Sequence, residues 1–317
     1  MEHFIWIIIG AVALLAVPVA VVPILTAPLA KGIYKSLLVR ETPDKWKRVN
    51  SCPSDLEYSS MYDQACAWGE RYKEQTSDVT IMNEGLRLCG RFTDFGSERT
   101  VLILCGRAEG LFYSYYYAEP YRRQGYNVLV VDQRAHGESE GIYSGLGVHE
   151  ARDAVAWMRF LKESCHTTHI VLHGLCIGAA CTVYAAASSD CPKELRGIVT
   201  DGLYDSFHHV FLQRMKTMKK PIFPVLYQIE REIRKHTGIC IRKQTPASVA
   251  PLVKVPLLML HGKEDISSLP KFVPSLYGKM GSSQKKLVWL PVGAHSHLRI
   301  CNTEAYDAAV EAFLQTL

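Results

Sequence analysis

The chain has 317 residues, of which 48% are hydrophobic and 21% charged, and its formal net charge is +5 at pH 7. A chain of this length and composition can bury a full hydrophobic core without disulfide bonds, which excludes a disordered chain. The ten cysteines show no C-x-x-C pair and no regular framework. This pattern favours free thiols in a reducing compartment, although an even count also permits disulfides outside the cell.

The chain opens with an apolar segment. No charged residue occurs from Phe4 to Ala30, and the segment exceeds the roughly 20 residues that cross a bilayer core. We therefore predict a single transmembrane anchor over residues 1–30. A cleavable signal peptide is the rival interpretation, but its basic leading region is missing. A buried amphipathic arm that packs on the domain is the other alternative.

The charges next to the anchor predict its orientation. Lys31, Lys35 and Arg40 follow the apolar segment, whereas little positive charge precedes it. Because positive charge is retained on the cytoplasmic side, the rest of the chain is expected in the cytoplasm. Residues 31–78 are interpreted as a linker followed by a helix that packs on the main domain.

Short apolar runs bounded by turn residues then recur along the chain and predict buried strands. Longer amphipathic patterns, such as residues 148–162, separate several of them. This alternation indicates an α/β fold with a mainly parallel sheet covered by helices on both faces. Functional sites in such sheets collect at the C-terminal ends of the strands. The predicted strands are 79–82, 101–104, 128–131, 170–172, 198–200, 257–260 and 287–290.

Residues 207–254 separate two predicted strands by more than a normal connection. The segment carries ten lysines and arginines against Glu230 and Glu232, a net charge of +8. We interpret it as a helical, basic lid over the strand ends, although most charged runs are merely solvated. So much charge near a membrane anchor suggests contact with anionic lipid or with an anionic substrate.

A strand-to-helix turn is predicted at Gly174-Leu175-Cys176-Ile177-Gly178, directly after an apolar strand. Glycines around the middle residue permit a tight corner that presents its side chain as a nucleophile. The thiolate of Cys176 is then the reactive form, and a histidine that accepts its proton activates it. The alternative interpretation is a buried core thiol.

An acid and a histidine are predicted at the same edge of the sheet. Asp265 follows one strand and His295 follows the next, so Asp265 can orient His295 beside Cys176. His297, two residues further along the same loop, is the alternative histidine. Asp201, at the end of another strand, is the alternative acid. Asp265 also fits the role of a turn carboxylate.

The loop after the strand 101–104 begins Cys105-Gly106-Arg107. Backbone N–H groups of Arg107 and Ile177 are predicted to bind the oxyanion that forms during acyl transfer.

Together these motifs resemble the α/β-hydrolase superfamily over residues 79–317, and in particular its membrane-anchored bacterial members. Cys176 stands in the nucleophile elbow, as in dienelactone hydrolases and bile-acid acyltransferases, where serine is commoner. Asp265 in H-G-x-x-D and His295 in G-A-H match the acid and histidine of the family. The stretch 132–139 (DQRAHGES) resembles its structural D-x-R-x-x-G-x-S loop. Cys105 occupies the place of the usual histidine in the oxyanion loop.

The resemblance and the residues imply a hydrolase of esters, thioesters or lactones that forms an acyl-Cys176 intermediate. An acyltransferase with the same triad is one alternative. A catalytically inactive homologue that binds a partner or senses redox state is another, motivated by Cys105 near Cys176. The sequence predicts no cofactor, no metal site and no nucleic-acid partner.

Overall fold

The computed structural model describes the backbone of residues 2–317 and the side chains of Trp6 and residues 21–317. Most side chains of the predicted anchor therefore lie outside the described residues. The described chain forms one eight-stranded sheet in the order β1-β2-β4-β3-β5-β6-β7-β8. The strands are β1 (Thr76–Asn83), β2 (Leu86–Thr93), β3 (Arg99–Leu104), β4 (Asn127–Val131), β5 (His169–Leu175), β6 (Leu195–Asp201), β7 (Leu257–Gly262) and β8 (Lys285–Leu290).

Strands β3 to β8 run parallel to one another, and each of the seven predicted strands coincides with part of an observed one. Strand β2 was not predicted. It pairs antiparallel with β1 and with β4, and its sequence lacks a continuous apolar run. The turn that joins it to β1 is Glu84-Gly85, where both residues have positive φ, as two-residue hairpins require.

Helices cover both faces of the sheet. They are α1 (Glu2–Leu38), α2 (Leu56–Arg71), α3 (Phe112–Tyr115), α4 (Glu119–Arg123), α5 (Val148–Ser164), α6 (Ile177–Ala186), α7 (Phe207–Thr217), α8 (Val225–Thr237), α9 (Pro246–Val249), α10 (Val273–Lys279), α11 (Leu298–Cys301) and α12 (Thr303–Leu314), with short 3₁₀ turns at Lys73–Gln75, Ala250–Leu252 and Pro270–Phe272. The predicted lid segment contributes α7, α8 and α9.

The two faces of the sheet bury separate hydrophobic cores. Because side chains alternate along a strand, Leu102 and Leu104 of β3 enter one core with residues of α5, α6 and the lid. Val101 and Ile103 enter the other core, with residues of α2, α4 and α12. Every strand end that carries a candidate site residue is thus supported on both sides by close packing.

Helix α1 does not end at residue 30, where the predicted anchor stops. It continues to Leu38, and its last turns bury Ala30, Tyr34 and Leu38, which are 1 to 2% exposed. Nothing between residues 31 and 38 interrupts a helix, and the i, i+4, i+8 spacing of these three places them on one face. This face packs on the domain, so residues 31–38 are not a linker.

The same part of α1 contacts the lid helix α8. The amide of Gln228 donates to the backbone carbonyl of Pro23 (2.7 Å), and the Thr26 hydroxyl donates to the Gln228 side chain (3.1 Å). On the other side of α1, Ile24 and Leu25 are each 71% exposed. Of the described helices, α1 alone is long and apolar enough to cross a membrane by length and composition.

Candidate active site

The nucleophile candidate lies at a strained corner. Cys176 stands between β5 and α6 with φ 53° and ψ −110°, a conformation that costs a non-glycine residue about 1–3 kcal/mol. The corner needs its glycines, because a Cβ on Gly174 would collide with the carbonyl of Gly178. A Cβ on Gly178 would collide with the carbonyl of Leu104. The backbone of the turn therefore leaves Cys176 little freedom.

Asp265 holds the turn after β7 and also binds a histidine. One oxygen of this buried carboxylate accepts the backbone N–H groups of Ser267 (2.8 Å) and Ser268 (2.7 Å). The other oxygen lies 2.6 Å from Nδ1 of His295. Burial raises the pKa of Asp265, but the hydrogen bond and charge of His295 outweigh it, so the pKa is lowered overall. The carboxylate stays charged and orients the imidazole.

His295 connects Asp265 with Cys176. The imidazole and the thiol line one cavity. Burial lowers the pKa of His295, but its interactions with Cys176 and Asp265 raise it well above its ordinary value. Gly202 makes room for the ring, since a Cβ there would lie 3.0 Å from Cε1 of His295.

Comparisons with known proteins agree with this architecture. A family model described as the α/β-hydrolase fold matches residues 99–221. An esterase of Pyrococcus furiosus superposes with a TM-score of 0.65 at 24% identity, covering 78% of this chain and 93% of the esterase. The chain has the α/β-hydrolase fold. The predicted fold class is thereby confirmed.

Two curated proteins are also similar in sequence. The protein YqkD of Bacillus subtilis, described as uncharacterized, is 26% identical over 69% of this chain and 72% of its own length. An uncharacterized membrane protein of Saccharomyces cerevisiae is 29% identical over 63% of this chain and 66% of its own length. The family model describes an α/β-hydrolase fold, and the esterase shares that fold. The matched range includes Cys176 but ends before Asp265 and His295.

The oxyanion loop of this α/β-hydrolase follows β3. Its N–H at Gly106 donates to the Glu109 carboxylate (2.7 Å), and its N–H at Ala108 donates to the His136 ring (3.2 Å). Within residues 21–317, the N–H groups of Arg107 and Ile177 have no such partner, and both residues line the cavity with Cys176. The two amides predicted from the sequence are thus free to bind an oxyanion.

The alternative histidine points elsewhere. Nε2 of His297 lies 3.1 Å from the carboxylate of Asp55, which precedes α2, and its Nδ1 lies 2.9 Å from the carbonyl of His295. Both ring nitrogens are occupied away from Cys176, and His297 does not line the cavity.

The alternative acid, Asp201, is buried next to the triad but serves other partners. Its carboxyl accepts the Tyr306 hydroxyl (2.9 Å), and its backbone carbonyl accepts the N–H of Cys176 (3.0 Å). Burial raises the pKa of Asp201 to about 7, against the lowering effects of Tyr306 and His295. No hydrogen bond joins its carboxyl to His295 in the described part of the chain.

Cys105 is not arranged as a second nucleophile. Its thiol is fully buried and donates to the carbonyl of Glu109 (3.1 Å). Burial and the nearby carboxylates raise the pKa of this thiol well above its ordinary value. Cys105 and Cys176 are both free thiols.

Sequence reasoning missed several residues around the site. The buried carboxylate of Glu109 braces the oxyanion loop through Gly106 and through the hydroxyl of Tyr58 on α2. Leu37 of α1 and Arg214 of α7 line the cavity. The sequence carried only two local signs of these residues. Glu109 is an acid two residues after Arg107, and Leu37 is an apolar position in the last turns of α1.

The cavity beside Cys176 has a volume of about 90 Å³. This is well below the roughly 300–1,000 Å³ of sites for drug-sized ligands and suits a short acyl group. Among the described residues, no three or more histidine, cysteine, aspartate or glutamate side chains are grouped to hold a metal ion. The apolar wall consists of Leu37, Tyr204, Phe207, Val210 and Phe211.

Proposed function

We propose that this protein is a hydrolase that cleaves esters, thioesters or lactones through an acyl-Cys176 intermediate. The observation that carries the proposal is the position of His295, which lies 2.6 Å from Asp265 and lines the same cavity as Cys176. A thiol at a nucleophile elbow with such a histidine is the arrangement of activated nucleophiles in acyl transfer.

The reaction follows from these positions. The Cys176 thiolate attacks the carbonyl carbon, and the new C–S bond places negative charge on the carbonyl oxygen. The N–H groups of Arg107 and Ile177 stabilise that charge. When the intermediate collapses, the bond to the leaving group breaks, and the leaving oxygen or sulfur takes a proton from the His295 imidazolium.

Hydrolysis of the acyl-enzyme uses the same groups in reverse. His295 accepts a proton from water as the oxygen attacks the thioester carbonyl. The second tetrahedral intermediate expels the Cys176 thiolate and releases the carboxylic acid, and the proton on His295 restores the starting pair. Asp265 orients the imidazole and stabilises its charged form in both steps. Because a thiolate leaves more readily than an amide nitrogen, esters, thioesters and lactones suit this nucleophile better than peptides.

The test is turnover of activated short-chain esters by wild-type protein, Cys176→Ala and Cys176→Ser. We expect turnover to fall by a factor on the order of 10³ or more in Cys176→Ala, since the covalent route is lost. Intact-protein mass spectrometry after acid quenching should show an acyl adduct on wild-type protein that is absent from Cys176→Ala. His297→Gln is the matched histidine control. Full activity in Cys176→Ala would contradict the proposal, and products that carry an added amine acceptor would favour the acyltransferase alternative.

We also propose that α1 anchors the domain to a membrane with the sheet on the cytoplasmic side. The support is the apolar, exposed surface of α1 at Ile24 and Leu25 and the positive charge at Lys31 and Lys35. The exposed thiol of Cys52 provides a test. A maleimide that cannot cross membranes should label Cys52 only after the cells are lysed, whereas labelling of intact cells would reverse the orientation.

A further inference from the structure

The cavity beside Cys176 has walls of two kinds. One wall is apolar and includes Leu37, Phe207 and Val210. Two arginines, Arg107 and Arg214, belong to the other. Arg107 comes from the oxyanion loop and Arg214 from α7 of the lid, so two separate segments bring a positive charge to the same cavity.

Neither guanidinium has a partner within residues 21–317: no ion pair and no side-chain hydrogen bond is formed by Arg107 or Arg214. Within residues 21–317, Arg242 alone among the other lid lysines and arginines is paired, with its Nε 2.7 Å from the Glu230 carboxylate. Arg214 differs from the unpaired ones because it lines the cavity with Cys176. Burial and the charge of Arg107 lower the pKa of Arg214. Two like charges that face one cavity repel each other unless an anion lies between them.

The neighbouring charged groups do not neutralise this pair. Lys45 adds positive charge close to Arg107, and its ammonium donates to two backbone carbonyls at the end of α1. On that side, Glu41 is paired with Lys35 at 3.0 Å. The buried carboxylate of Glu109 interacts with Arg107 through charge, but its hydrogen bonds are made with Gly106 and Tyr58. His295 and Asp265 form a pair of their own at 2.6 Å.

We propose that Arg107 and Arg214 bind an anionic group, a carboxylate or a phosphate, that the scissile acyl compound carries. This inference rests on the proposed function and names its substrate class as small, negatively charged esters or thioesters. Guanidinium groups suit this role because they stay charged and bind such anions through two parallel hydrogen bonds. Arg107 then acts twice, with its backbone N–H on the oxyanion and its side chain on the anionic group.

The anion can reside on either side of the scissile bond, and matched probes separate the two cases. For the acyl side, mono-4-nitrophenyl succinate is compared with 4-nitrophenyl butanoate. For the leaving-group side, 4-carboxyphenyl acetate is compared with its methyl ester. The readout is the ratio of kcat/KM for the anionic probe to kcat/KM for its neutral match, measured with the full chain in detergent.

We expect this ratio to fall about tenfold in Arg214→Gln for one of the two pairs, and less in Arg214→Lys, which keeps the charge but loses the paired geometry. Lys216→Gln is the matched control, because Lys216 is exposed on the same helix and does not line the cavity. If Lys216→Gln lowered the ratio equally, the positive potential of the lid as a whole, and not binding at Arg214, would favour the anionic probe. That result would overturn the proposal.

A binding measurement keeps the inference independent of turnover. Calorimetric titration of Cys176→Ala with succinate and with inorganic phosphate should detect an anion that Cys176→Ala/Arg214→Gln binds about tenfold more weakly. If no ester is hydrolysed but this difference is found, the anion site stands and the hydrolase proposal fails. If esters are hydrolysed but Arg214→Gln changes neither the kcat/KM ratio nor the calorimetric affinity for the anion, the proposed anion site is wrong. The hydrolase proposal then stands.

Discussion

The floor and the mouth of the cavity are built on different principles. On the floor, Cys176, Asp265 and His295 follow strands β5, β7 and β8, and the carboxylate and imidazole are held by hydrogen bonds of 2.6 to 2.8 Å. At the mouth, Leu37 and Arg214 come from helices outside the sheet, and the arginine has no polar partner in the described part of the chain. In the proposed function, the sheet therefore positions the reacting groups, whereas the choice of substrate depends on segments added around it.

This difference predicts that the two regions can be altered separately. A change on the floor should reduce the rate for every substrate, because it affects the reacting atoms. A change at the mouth should redistribute rates among substrates.

The largest effect is expected from the acid. In Asp265→Asn, the amide oxygen can still accept the N–H groups of Ser267 and Ser268, but it cannot stabilise the imidazolium of His295. We expect kcat to fall about a thousandfold for all esters with the fold retained. Asp201→Asn is the matched control and should change kcat by less than about threefold, because its carboxyl binds Tyr306 instead. Equal losses in the two variants would make Asp201 the functional acid.

The second effect concerns the proton on His295. The interaction with Cys176 raises the pKa of His295, so removing the thiol in Cys176→Ala should lower that pKa. At a fixed pH near neutrality, the variant should therefore hold less imidazolium than the wild type. NMR titration of ¹³C-labelled histidine measures both values. An unchanged or higher pKa in Cys176→Ala would show that the thiol and the ring do not interact.

The third effect tests the packing of the ring. Gly202 and Gly238 both have positive φ (62° and 73°), but a Cβ meets His295 at the first position and open space at the second. Both alanine variants should lose about 1 kcal/mol of stability from backbone strain. Gly202→Ala should in addition lower kcat about tenfold by displacing the ring. Equal activity in the two variants, measured at equal folded fraction, would exclude the displacement.

The smallest effect lies at the mouth. Leu37→Ala removes part of the apolar wall and should shift the preferred acyl chain to a longer one, by about threefold in the ratio of kcat/KM values. Leu29→Ala, on the same helix but outside the cavity, should leave that ratio unchanged. The measurement is kcat/KM for esters of increasing acyl chain length with both variants. If Leu37→Ala lowered kcat/KM equally at all lengths, Leu37 would act on the reacting groups and not on the choice of acyl chain.

The floor was accessible from the sequence because its signals are local. An apolar strand, two glycines and one reactive residue are contiguous around Cys176, and the backbone geometry explains why glycine is needed there. The sequence favoured His295 over His297 but could not decide between them. Which of two histidines in one loop reaches the cavity depends on contacts with distant parts of the chain. The deciding contact for His297 is Asp55, which lies far away along the chain.

The mouth was not accessible in the same way. Leu37 reaches the cavity because α1 continues past residue 30 and packs on α8, where the hydrogen bond from Gln228 to Pro23 joins residues 205 positions apart. Glu109 braces the oxyanion loop through Tyr58 on α2, which no local pattern indicates. Strand β2 was missed for a related reason: its alternating polar residues face solvent, and its pairing is set by the hairpin turn.

The continuity of α1 also bears on how the protein tolerates proteolysis. The helix that carries the apolar surface at Ile24 and Leu25 is the helix whose last turns close the cavity at Leu37. A cut before residue 21 would leave the bonds to Gln228 and the wall complete. A cut after Leu29 would remove Pro23 and Thr26 from α8 and loosen the wall itself. The position of one cleavage therefore decides whether the shortened chain keeps its substrate preference or has an open cavity.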